Sequence, residues 1–172
     1  MEITPDVDGQ AELVEMPGDP LALERQVCFA LSIAARSVLS IYRPILEPMG
    51  LTHPQYLVML ALWGQSPLAV KELIETLQLD GPTLSPMLKR LEAAGLVTRT
   101  RDPNDERQLR VDLTEKGHAL RQQALNVPPA VVAQLGMSLG ELEELHKGLT
   151  ALNDAARRAG VKPLPAPAKD SI

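Results

Sequence analysis

Apolar positions recur every three or four residues through most of the chain, as they do in helices packed on one face. Over residues 21–42 they are Leu23, Val27, Leu31, Ala34, Val38 and Ile41. Pro44 and Pro48 mark an irregular end, and Gly50 closes it. Thr52 and His53 precede Pro54, which sits early in a second helix, where a missing N–H costs nothing. Residues 56–63 are apolar nearly all round, so burial on most sides is expected. A short third helix is expected over Val70–Leu77 and a fourth over 82–94, with Asp80 or Gly81 as its N-cap and Gly95 at C′. In that fourth helix Leu84, Met87, Leu88 and Leu91 form one face, while Thr83, Ser85, Pro86, Lys89 and Arg90 face outward. Pro86 lacks an N–H, so a local distortion is expected there.

The period then changes. Residues 96–101 and 109–113 alternate as two strands, joined by the polar loop Asp102-Pro-Asn-Asp-Glu-Arg-Gln108. Thr114 caps a fifth helix running to about residue 126, which Pro128 and Pro129 interrupt. Ser138 and Glu141 form a capping box for a sixth. Its Leu142, Leu145, Leu149 and Leu152 make a seam suited to pairing with another helix. The fold class expected is mainly α with a small β-hairpin. Two short helices joined by a tight turn and followed by a charged hairpin describe a winged helix-turn-helix, whose second helix enters a major groove.

Length and composition sharpen this picture. At 172 residues one compact domain is expected, with an aliphatic core, since aromatics are only 2% of the chain. The formal charge of −5 misleads. Residues 1–19 carry six acids (Glu2, Asp6, Asp8, Glu12, Glu15, Asp19) and no base, leaving 17 bases against 16 acids elsewhere. A polyanionic partner is therefore compatible with the chain, because local charge decides such binding. The organisation expected is an acidic flexible arm over 1–19, a winged helix domain over 20–160 and a Pro-rich tail over 161–172. Within the domain, the DNA-binding part covers about 52–113 and the dimerisation helices about 20–47 and 114–158. The acidic N-terminus shows no signal peptide, and the longest uninterrupted apolar run is Tyr56–Trp63. A cytoplasmic protein without a membrane partner is expected.

Candidate chemistry lies first on the helix of 82–94. Taken alone, its polar face is that of any solvated amphipathic helix. In the order helix, turn, helix, hairpin it becomes a DNA-reading face. Thr83 and Ser85 can meet phosphates or base edges near the helix N-terminus, Pro86 lies beside them, and Lys89 and Arg90 add positive charge. Arg107 at the hairpin tip can enter a minor groove. One winged helix makes a small footprint, and two in fixed geometry multiply affinity, so a homodimer on an inverted repeat of double-stranded DNA is expected. No metal or cofactor is expected, because His53, His118 and His146 are scattered and the single cysteine, Cys28, excludes a cysteine cluster and an intrachain disulfide. Nor is there a Gly-rich phosphate loop or a hydrolase arrangement, so no enzyme is expected.

These residues resemble the MarR (multiple antibiotic resistance regulator) family of dimeric winged-helix transcription factors. The resemblance is carried by Gly81-Pro-Thr-Leu-Ser-Pro-Met-Leu-Lys-Arg-Leu-Glu-Ala-Ala-Gly-Leu-Val97, Asp102 to Gln108 and Leu113-Thr-Glu-Lys-Gly117, and it runs from about residue 21 to 157. It implies that Asp105 braces the wing and that Arg107 reaches the minor groove. Cys28-Phe-Ala-Leu, Tyr42-Arg-Pro, Pro54-Gln-Tyr-Leu and residues 83–90 look more narrowly like the organic hydroperoxide resistance regulators. That likeness implies a redox-sensing Cys28, hydrogen-bonded by Tyr42 from the other subunit. In this chain a second tyrosine of that group is replaced by Ser32, and His53 stands where a tyrosine is common.

A lone cysteine in an apolar helix is otherwise an inert small hydrophobe. Sensing needs a thiolate, and nearby donors or a helix N-terminus can supply one. The function expected is a homodimeric repressor that senses organic peroxides by oxidation of Cys28 and then releases its operator. The alternative is a regulator of the same family released by a small-molecule ligand, with Cys28 passive. A thiol-dependent peroxidase is the reading from another class, and a single cysteine gives it no resolving partner.

Overall fold

The computed structural model describes residues 19, 21–23, 26–105 and 107–160. The arm and tail expected over 1–19 and 161–172 lie outside them, Asp19 excepted. Two compact units divide after Val38.

The first unit contains the beginning of α1 (Val27–Leu46). That helix starts later than the periodicity suggests and runs through Pro44, whose missing N–H removes only one rung of the ladder. No described side chain of the first unit is buried, so the apolar stripe expected to pack is open in a single copy. The stretch Val27–Met49 is also long and apolar enough to cross a membrane by length and composition. Counting uninterrupted apolar runs overlooks this. Arg36 lies near its midpoint, where insertion of an arginine costs about 2.5–3.5 kcal/mol.

The second unit begins within α1. A 3₁₀ turn, Glu47–Met49, ends the helix, and Gly50 closes it at a φ of 67°, donating its N–H to Glu47 O. Then α2 (His53–Gly64) starts at Thr52, where the Gln55 side-chain carbonyl accepts from the Thr52 N–H at 2.9 Å and from its hydroxyl at 3.1 Å. Gln55, Tyr56, Val58, Met59 and Leu62 are buried. Burial is not all-round, however: Leu57 and Leu60, three apart, remain 38% and 43% exposed.

Two residues, β1 (Leu68–Ala69), lead into α3 (Val70–Leu77), and α4 (Gly81–Ala93) follows. The four apolar residues expected on the inner face of α4 are its buried ones. Leu84 is fully buried, so Leu84→Ala is worth about 2–5 kcal/mol. The helix continues through Pro86. Gly95 turns the chain at a φ of 72° into β2 (Val97–Arg101), which pairs antiparallel with β3 (Leu109–Leu113). The expected hairpin is thus part of a three-stranded sheet of order β1-β3-β2, with Leu68 opposite Val111. A strand of two residues has no alternation to read.

Three helices complete the unit: α5 (Glu115–Ala124), α6 (Val127–Leu135) and α7 (Leu139–Arg158). Thr114 caps α5 by accepting from the Gly117 N–H at 3.0 Å, and Ser138 and Glu141 form the expected capping box of α7. Pro128 and Pro129 do not merely interrupt. They lie in the first turn of α6, where their missing N–H groups have no helical partner to lose. No residue of α7 is buried, and Leu145, Leu149 and Leu152 are exposed.

Candidate nucleic-acid interface and cysteine site

The outward face of α4 is arranged as its sequence implies. Ser85, Pro86, Lys89 and Arg90 are exposed, while Thr83 is half-buried. Asp80 is the N-cap, and its Oδ1 accepts from the Thr83 N–H at 2.7 Å. Hydrogen bonds from the Thr83 side chain and backbone hold its carboxyl below the usual range. The Thr83 N–H is thus taken by a carboxylate and is not free for phosphate. The Thr83 hydroxyl is likewise engaged with Asp80, which leaves the Ser85 hydroxyl and the cations of α4 for that task.

The far end of α4 is tied to the sheet. Glu92 Oε2 accepts from Arg99 Nε at 2.9 Å, and Glu92 Oε1 accepts from the Arg99 N–H at 3.2 Å. Hydrogen bonds from the Arg99 side chain, more than its charge, lower the Glu92 carboxyl below its ordinary range. Arg99 therefore orders β2 against the helix, a role its alternating position in the strand does not announce.

The wing tip is built around Asp105. Its Oδ1 accepts from the Arg107 N–H and its Oδ2 from Gln108 Nε2, both at 3.1 Å, while its backbone carbonyl accepts from the Gln108 N–H at 2.9 Å. These bonds fold the loop back and leave Arg107 exposed at the tip. At the base, Arg110 Nη1 lies 3.2 Å from Asp102 Oδ2. Asp102 also donates its N–H to Gln108 O at 2.9 Å. The sequence reading missed this pair, which lies off the strand register, since Arg110 stands opposite Thr100.

Cys28 is exposed near the start of α1. Ser32, one turn on, donates its hydroxyl hydrogen to the Cys28 carbonyl at 2.8 Å. Its only proton is committed to the backbone, so Ser32 is not a donor to the sulfur. Tyr42 is fourteen residues along the same helix, about 21 Å of rise at 1.5 Å each, too far for two side chains of one helix to meet. Tyr42 instead lies against His53, ring centroids 4.7 Å apart and edge-on, and 6.1 Å from Tyr56. Burial holds His53 below its ordinary pKa, and burial followed by the neighbouring Tyr42 raises Tyr56. Among the described residues no group of His, Cys, Asp and Glu could hold a metal ion.

A three-helix unit with a sheet-borne wing, an outward cationic helix and a braced arginine tip defines a winged helix-turn-helix DNA-binding protein. The chain belongs to the MarR family of transcriptional regulators, whose family model matches residues 51–109. By that membership it is a DNA-binding regulator rather than an enzyme. It is 45% identical over 149 residues to the HTH-type transcriptional regulator TtmR of Methylorubrum extorquens (strain PA1), covering 86% of this chain and 76% of that one. It is 40% identical over 134 residues to the organic hydroperoxide resistance transcriptional regulator of Bacillus subtilis (strain 168), covering 78% and 91%. Among solved structures, reduced AbfR bound to DNA superposes with a TM-score of 0.71 at 34% identity, covering 81% of this chain and 95% of that one. AbfR is a protein of Staphylococcus epidermidis.

Proposed function

We propose that the chain acts as a homodimeric, cytoplasmic repressor that senses organic hydroperoxides at Cys28 and then releases an inverted-repeat operator. The observation that carries this reading is the exposed Cys28 near the start of α1, in a chain 40% identical to a regulator named for organic hydroperoxide resistance. A cysteine buried in its own copy would be closed to a peroxide; this one is exposed in the single chain.

The chemistry is a two-electron oxygen transfer. The Cys28 thiolate attacks the terminal peroxide oxygen, the S–O bond forms as the O–O bond breaks, and the alkoxide leaves and takes a proton from water. The sulfur is oxidised to sulfenic acid, and the hydroperoxide is reduced to an alcohol. A low-molecular-weight thiol then attacks the sulfenic sulfur, the S–S bond forms as the S–O bond breaks, and the hydroxyl leaves as water with the thiol's proton, giving a mixed disulfide. Tyr42 of the second copy serves as the hydrogen-bond donor that favours the thiolate. Within one copy the helix spacing keeps Tyr42 away, and the exposed stripes of α1 and α7 give two copies a surface on which to meet.

DNA is held by Thr83, Ser85, Pro86, Lys89 and Arg90 in one groove, Thr83 through what its bond to Asp80 leaves exposed, and by Arg107 in the next. Asp105 keeps the wing folded. Added bulk and polarity at Cys28 reset the spacing of the two reading helices. Half-sites one turn apart require about 34–36 Å, so a change in that spacing ends simultaneous docking.

A second reading is favoured by one observation. A cavity of about 280 Å³ between α2 and the α5–α6 corner is lined by Tyr56, Leu60, Leu125 and Pro128, with Arg121 at its edge. That combination suits a small aromatic carboxylate, which would release DNA with Cys28 passive.

The deciding experiment is titration of one duplex, at one salt concentration, with wild type and Cys28→Ser, with and without cumene hydroperoxide. Cys28→Ser is expected to bind like the wild type and to stay bound under oxidant. Release of the mutant at wild-type oxidant levels would remove Cys28 from the mechanism.

A further inference from the structure

A continuous series of contacts runs from the ring of Tyr42 to the end of the DNA-reading helix. Tyr42 lies 6.1 Å from Tyr56, and Tyr56 lies 6.3 Å from Trp63 in an edge-on pair. Tyr56 and Trp63 are seven residues apart, two turns along one face of α2. The indole N–H of Trp63 then leaves its own helix and donates to Gly117 O, in the first turn of α5, at 2.9 Å.

That same turn grips the end of α4. The Thr114 hydroxyl donates to Gly95 O at 2.6 Å, Lys116 Nζ donates to Ala94 O at 2.8 Å, and the Thr114 N–H donates to Leu96 O at 3.1 Å. These carbonyls belong to Ala94, the C-cap of α4, and to Gly95 and Leu96 just beyond it, where the helix offers no N–H to satisfy them. A side chain at Gly117 would collide with Leu96 O, so α5 and the start of β2 are fixed at backbone contact. Hydrogen bonds and backbone contacts of this kind do not stretch. They pass a displacement on or they break.

We propose that Trp63 is a positioning residue that couples the aromatic cluster at Tyr42 to the C-terminal end of the DNA-reading helix. A ring shift at Tyr42 moves α2's face through Tyr56, and Trp63 carries it across to α5 and hence to α4. Linkage makes the coupling reciprocal, so duplex binding at α4 must also alter the surroundings of Trp63. The oxidant arm of the test rests on the redox reading above; the duplex arm does not.

Trp63 is the sole tryptophan of the chain, so its fluorescence reports this junction alone. The full-length protein is titrated with its preferred duplex, then the complex with cumene hydroperoxide, while emission and binding are recorded together. Emission is expected to change on duplex binding and to revert on release. The variant Trp63→Phe keeps the ring and loses the N–H. It is expected to bind duplex within about threefold of wild type, while an oxidant-driven loss of affinity of about tenfold or more falls below about threefold. Lys116→Met, an exposed change that spares the rings, is expected to weaken the response in the same direction and serves if Trp63→Phe does not fold. Emission that stays constant through duplex binding overturns the proposal, as does full release of both variants. If oxidant leaves the wild-type complex intact, the redox reading has failed, and the duplex-binding arm alone then decides for or against the coupling.

Discussion

The carbonyl oxygen of Leu96 lies 2.1 Å from the point where a side chain of Gly117 would begin. The hydrogen on the Gly117 α-carbon is all that α5 can place against the start of β2. Gly117→Ala would drive a methyl group into backbone that is itself held by the Thr114 N–H. A destabilisation of about 1–3 kcal/mol is expected in denaturant titration. Gly140→Ala, in α7 with open space around it, is expected to be neutral or stabilising by up to about 1 kcal/mol. Equal effects at the two sites would mean that the α5–β2 approach is not tight.

The residues proposed to contact DNA divide by their effect on salt dependence. Arg107→Ala is expected to weaken duplex binding and to reduce the slope of log affinity against log salt by about one unit. Asp105→Ala leaves the arginine in place but removes the bonds that fold the loop. It is expected to weaken binding with a smaller change of slope. Lys89→Ala and Arg90→Ala are each expected to lower affinity without loss of the dimer. The check is a binding isotherm at several salt concentrations beside sedimentation of the same samples.

His53 predicts a pH dependence of stability with a defined sign. Burial lowers its pKa in the folded chain from 6.5, so the unfolded chain takes up the proton first. The groups facing it are Tyr42 from α1 and, behind that, Tyr56 from α2, and neither carries charge in this range. Stability is therefore full above pH 6.5 and falls as the pH drops through the lowered value. Asp80, Glu92 and Glu141, held low by Thr83, Arg99 and Ser138, lose their contributions only below the ordinary carboxylate range. Below pH 6.5, His53→Gln should flatten the fall in Tm. An unchanged slope would assign it to another group.

The exposed leucines of α7 test the assembly. A charge in a helix seam that pairs with a second copy must be desolvated there, whereas on a free surface it costs nothing. If two copies pair through this seam as proposed, Leu149→Glu is expected to sediment as monomer at micromolar concentration where the wild type sediments as dimer, with the helix content seen by circular dichroism intact. Retention of the dimer would place the interface elsewhere, on α1 first.

Most of the elements that carry function were legible in the order of residues. The bounds Val70–Leu77, a cap at Asp80 or Gly81 that proves to be Asp80, the buried face Leu84, Met87, Leu88 and Leu91, and the capping box at Ser138 follow from spacing and side-chain chemistry within a few residues. Local rules fix them, because a cap or an amphipathic face needs only near neighbours. The resemblance carried by residues 81–97 and 102–108 agrees with the family found by comparison.

Tertiary structure decided what depends on distant neighbours. β1 exists because Leu68 finds Val111, not because two residues prefer extended backbone. Pro128 and Pro129 could end a helix or begin one; their place after α5 makes them a beginning. Burial of α2 is incomplete, although its sequence is apolar all round, because packing partners stand on only part of it. The hydrogen bond from Trp63 to Gly117 spans 54 residues, and no period or motif foretells it. Sequence determined the pieces whose free energy is local, and only the assembled chain settled which polar groups across the fold satisfy one another.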